Sequence, residues 1–130
     1  MGGRGASSGI SKKSNKLYSY GTEYTTIKQL DNIKFIKINE GSTTAPMETQ
    51  TKGRIYVTVN KKTNRPQFIT FYKNGKRYKT IEIKGEKHRI KGKDYKTHTH
   101  YGYEHRENGT KVVSKNELRL IAKVWKAWYN

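Results

Sequence analysis

Residues 97–105 read THTHYGYEH and hold His98, His100 and His105, three of the four histidines in the chain. Histidine is the side chain whose ordinary pKa lies near neutrality, so a cluster of it can take and return protons. Metal-independent cleavage of RNA needs a base for the 2′-hydroxyl, an acid for the leaving oxygen and a cation for the phosphorane. His98, His100 and His105 are the candidate proton carriers, and Arg54, Arg77, Arg89 and Arg106 are available cations. Three imidazoles can also hold an open zinc site. The spacing H-x-H-x4-H demands no metal, however, and neither a metal nor another cofactor is expected. A purely structural role, with one ring packed and the others bonding loop groups, stands beside these readings. For His88, alone in a basic stretch, the structural role is preferred.

A binding role needs no catalysis. Ten tyrosines are interleaved with Lys and Arg, which supply base-stacking faces and phosphate contacts together. The candidate nucleic-acid contacts are Arg54, Tyr56, Arg77, Lys79, Lys87, Arg89, Lys91, Lys93, Tyr101, Tyr103 and Arg106. In RIYVTVN (54–60) strict alternation puts Arg54, Tyr56 and Thr58 on a polar face and Ile55, Val57 and Val59 on an apolar one. RNP, KH, helix-turn-helix, zinc-finger, Walker and dinucleotide-binding patterns are all missing, so sequence-specific readout has no support.

The charge balance decides among partners. Across 130 residues, 28 Lys and Arg face 10 acids, a formal net charge of +18. A small domain needs only about 2 to 8 net charges for solubility, and self-repulsion at a larger excess favours a polyanionic partner. Nucleic acid, with RNA favoured, or a nucleic-acid-binding complex is the expected partner. The chain has no cysteine, which excludes disulfides and thiol chemistry. No apolar run serves as a signal peptide or a membrane span, and Ala6 breaks the myristoylation pattern, so a cytoplasmic protein is expected.

The elements that must position these residues are legible in part. Residues 1–20 are Gly/Ser-rich, basic and poor in apolar groups, and read as a flexible arm before a single domain over 21–130. Residues 22–31 are ambiguous between helix and strand, IKFIKI (33–38) reads as a strand, and 41–53 reads as a long polar connection. RIYVTVN, QFITFY (67–72) and RYKTIEI (77–83) predict three antiparallel strands, the last two joined by a tight turn at Asn74-Gly75. Residues 84–96 read as a basic loop, and a short strand over 95–101 carries the first histidines.

Ser114 and Glu117 form a capping-box pattern that opens a C-terminal helix, whose stripe of Leu118, Ile121, Val124, Trp125 and Trp128 should pack on the sheet. Lys115, Arg119, Lys123 and Lys126 fall mostly elsewhere on it. The expected fold is therefore α+β: an antiparallel sheet of four or five strands in a meander, with the helix on one face.

Taken in order, MGGRGASSG, TAPMET (44–49), KGRIYVTVN (52–60), HTHYGYEH (98–105) and a Lys-rich helix ending in VWKAWYN carry a resemblance over nearly the whole chain. The sequence resembles short proteins carried by phages and integrative elements of low-GC Gram-positive bacteria. Thr97 stands where that group often has a proline. The resemblance implies a mobile-element setting and assigns no residue a role. It is compatible with a protein that counters host defence, such as an inhibitor of an RNA-guided nuclease, or with a toxin-like ribonuclease.

Overall fold

A computed structural model describes residues 6–7, 23–83, 98–102 and 110–129. The described elements are β1 (Ala6–Ser7), β2 (Tyr24–Leu30), β3 (Ile33–Ile38), β4 (Glu48–Thr49), β5 (Ile55–Val59), β6 (Pro66–Lys73), β7 (Lys76–Glu82), β8 (His98–Tyr101), β9 (Thr110–Val112) and α1 (Lys115–Tyr129). Residues 22–31, ambiguous by pattern, form β2. Of the basic arm only the β1 backbone is described, paired antiparallel with β4.

The α+β class and the C-terminal helix are as expected, but the sheet is larger than four or five strands and is not purely antiparallel. Its order is β1-β4-β7-β6-β5-β3-β2, with β8 on β7 and β9 on β8. The meander β5-β6-β7 is antiparallel throughout. Its second turn has positive φ at Asn74 (54°) and Gly75 (79°), the geometry that favours Asn-Gly in a two-residue hairpin. By contrast, β3 pairs with β5 in parallel, with Phe35 opposite Val57. A parallel neighbour cannot be reached by a hairpin and needs a crossing connection.

That connection, 39–54, crosses the sheet face away from the helix. Tyr24 Oη donates to the Thr44 carbonyl at 2.9 Å, Tyr72 Oη donates to that of Pro46 at 2.6 Å, and Tyr56 Oη and Thr49 Oγ1 share a buried bond of 2.9 Å. The Arg77 N–H donates to Met47 O at 2.9 Å, and the Thr49 N–H to Gly75 O at 2.9 Å. The segment read as a polar connection is thus a strap, and three of its anchors are tyrosine hydroxyls. Beneath it Tyr24, Tyr56 and Ile36 form a small core with Ile38 and Tyr72.

The larger core lies on the opposite face, where Ile33, Phe35, Val57, Val59, Ile69 and Ile81 meet Ile121, Val124 and Trp125 of α1. Trp128 stacks on Phe35 with ring centroids 5.5 Å apart, and its Nε1 donates to Asn64 O at 3.0 Å. Lys28 of the edge strand β2 donates to the Ala127 carbonyl, meeting the free, partially negative C-terminal end of the helix.

Candidate nucleic-acid interface

Strand β8 places the described histidines. It pairs antiparallel with β7, so that Glu82 faces His98, Ile81 faces Thr99, Thr80 faces His100 and Lys79 faces Tyr101. Directly opposed residues share a face, and neighbours along a strand alternate. Thr99 therefore lies on the helix side, and His100 lies on the other side with Thr80. His100 Nε2 stands 3.9 Å from Glu82 Oε2, both side chains about four-fifths buried. That distance is electrostatic contact rather than a hydrogen bond.

Of the other histidines, His98 is described by its backbone alone, and His88 and His105 lie outside the described residues. Lys87, Arg89, Lys91, Lys93, Tyr103 and Arg106 also lie outside them.

The described contact candidates divide sharply. Tyr101 is exposed. Arg54 is half-buried just before β5. Arg77 Nη1 reaches the Ala45 carbonyl at 3.4 Å, at the strap end of β7 and away from His100. Lys79 lies on the helix side, its Nζ 3.6 Å from Glu117 Oε2 and 4.3 Å from the centre of the Phe71 ring. Tyr56 requires a correction. It is fully buried, and its hydroxyl is held by Thr49, so it has no face to offer a base. Thr58 beside it is also fully buried. The alternation in RIYVTVN does not mark one wet face, because the strap covers the side that carries Tyr56.

Glu117 links the histidine strand to the helix. The Ser114 N–H donates to Glu117 Oε1 at 2.8 Å, and the Glu117 N–H donates to Ser114 Oγ at 3.2 Å, closing the capping box. Thr99 Oγ1 donates to the second carboxylate oxygen at 2.9 Å. Burial pushes the Glu117 carboxyl up, but the Ser114 and Thr99 hydrogen bonds with the Lys79 charge outweigh it and hold the pKa below the ordinary 4.5.

The outer face of α1 carries a set of cations that the sequence reading placed only off the apolar stripe. Lys115, Arg119, Lys123 and Lys126 are all exposed, as are Asn116, Ala122 and Tyr129. The helix has one acid, Glu117, and it is buried. The steps of four, four and three residues set the cations in one row, since positions three and four apart are neighbours on a helix. At about 1.5 Å per residue the row is roughly 16 Å long. None of the four forms an ion pair among the described residues. Their helical spacing was the signal, readable once the apolar face had been assigned.

Among the described residues, no three His, Asp or Glu side chains are grouped to hold a metal ion. None of the described helices is long and apolar enough to cross a membrane. Comparison with protein-family models, curated proteins and solved structures finds no match to this chain.

Proposed function

We propose that this protein binds nucleic acid, or a nucleoprotein, chiefly through phosphate contacts. The carrying observation is the exposed row of four cations on α1, with no exposed acid on that helix, in a chain of net charge +18. Each phosphate neutralised releases condensed counterions, so affinity falls linearly with salt on logarithmic axes. Binding of labelled RNA and DNA at several salt concentrations tests this. Steep weakening with salt is expected, and salt-insensitive or undetectable binding would contradict the reading. The resemblance to mobile-element proteins extends it to an inhibitor that covers the nucleic-acid groove of an RNA-guided nuclease. Pull-downs with and without nuclease treatment separate that case from plain RNA binding.

A second reading, a metal-independent ribonuclease, draws on the His100–Glu82 pair. An imidazole beside a carboxylate is a common way to set up a general base. In this reading His98 and His105 are candidates for the second proton carrier. It predicts RNA cleavage that persists in EDTA and disappears in a folded H98A/H100A/H105A variant.

A further inference from the structure

We infer that the outer face of α1 follows the sugar–phosphate backbone of a duplex, independently of its sequence, rather than holding a splayed single strand. This rests on the nucleic-acid reading above and deepens it.

Two observations carry it. The first is the row Lys115, Arg119, Lys123 and Lys126, exposed and uninterrupted by acid on a rigid helix of 15 residues. A straight row roughly 16 Å long can lie along a short run of neighbouring phosphates on one strand before that strand winds away round the duplex. A stiff line of charge matches a stiff line of phosphates without ordering either partner.

The second is the fate of the aromatic rings. Single-strand binders without sequence preference depend on rings free to stack on successive bases. Here Tyr24 and Tyr56 are fully buried, and Tyr72 packs edge-on against Tyr56 with its hydroxyl on the strap. Trp128 is stacked on Phe35. Tyr129, exposed on the helix, already lies against Trp125 with centroids 5.3 Å apart. The exposed rings of Tyr78 and Tyr101 belong to β7 and β8, not to α1. Among the described residues, the helix face therefore supplies charge without open stacking platforms of its own.

The test measures affinity for duplex DNA, duplex RNA and the single strands of three unrelated sequences, for wild type and two variants. K115Q/R119Q/K123Q/K126Q removes the row. K52Q/K61Q/K62Q/K73Q removes equal charge from exposed lysines elsewhere. Circular dichroism melting confirms that both variants are folded, as expected for exposed positions.

Wild type should prefer duplex over single strand by tenfold or more, with little change among sequences. The row variant should flatten the duplex salt slope by about 3 to 4, from roughly 0.9 per phosphate contact. The control variant should flatten it by much less. Single strands bound as tightly as duplex, or equal effects of the two variants, would overturn this inference while leaving nucleic-acid binding intact. If no nucleic acid binds at all, the reading it rests on fails first. The DNA and RNA arms show which duplex is the source of the backbone.

Discussion

Thr99 Oγ1 and Glu117 Oε2 lie 2.9 Å apart in a buried hydrogen bond, so one carboxylate both caps α1 and pins the strand that carries His98 and His100. Two parts of the molecule with separate candidate roles are tied through it. The cation row begins two residues before Glu117, and His100 follows Thr99.

Removing that carboxylate should be costly. E117A loses the cap and leaves the buried Thr99 hydroxyl and the Ser114 N–H without their acceptor, for an expected loss of about 2 to 4 kcal/mol. Urea denaturation measures it. Because the native pKa lies below the ordinary 4.5, the contribution is complete above that value and is lost as pH falls through the native pKa. Stability of wild type should therefore drop on the acid side more steeply than that of E117Q, which has no carboxyl to titrate.

The alkaline limit is set by buried phenols. Burial pushes Tyr24 up from 10.0 to about 12, and it pushes Tyr72 up as well. A raised native pKa means stability that is whole below pH 10.0, declines above it, and is gone once pH passes the native value. For Tyr24 alone the loss is on the order of 2 to 3 kcal/mol, at 1.36 kcal/mol per pKa unit. Phenolate absorbance should lag behind that of model tyrosine and then rise together with unfolding. Tyr24→Phe should weaken the pH dependence while also losing the bond to Thr44.

Tyr56→Phe separates the buried role from the stacking role. The variant keeps the ring in its core and removes one hydroxyl shared with Thr49, so a loss of about 1 kcal/mol is expected, with nucleic-acid affinity unchanged. A tenfold loss of affinity in a folded variant would restore Tyr56 as a contact residue. Tyr56→Ala should cost about 3 to 5 kcal/mol through the cavity it leaves.

Gly75→Ala tests the turn beside the strap. Gly75 has φ of 79°, and an added Cβ would stand 3.1 Å from the Thr49 carbonyl oxygen. Left-handed backbone costs a residue with a Cβ roughly 1 to 2 kcal/mol, and the close contact presses on a strap anchor. A fall in denaturation midpoint with an unchanged m-value is the expected record, since the change alters stability and not the exposed area.

Much of the framework was legible because it is local. The Ser114–Glu117 cap, the Asn74-Gly75 turn and the meander strands each declare themselves within a few residues. The strap did not, since its anchors join Tyr24 to Thr44 and Tyr72 to Pro46, pairs separated by 20 or more residues. A strand alternating Tyr and Thr with Ile and Val looks half-wet until something is known to cover the second face. The parallel β3–β5 pairing was hidden for a related reason, because the usual sign of a parallel neighbour is an intervening helix, and here the crossing segment has none. At the candidate site, the histidine cluster was visible by composition, while the proximity of Glu82 to His100 depends on the register of β7 with β8.

The parallel pairing also bears on how fast the fold is reached. Strands β5, β6 and β7 are joined by short turns and can assemble by hairpin closure on the microsecond scale. β3 finds β5 only after the segment 39–54 has looped back over the sheet, and that closure entropy is paid before the contacts form. Refolding should therefore be governed by docking of the tyrosine-anchored crossing. Mutations there would slow folding, while those at the Asn74-Gly75 hairpin would act mainly on earlier steps.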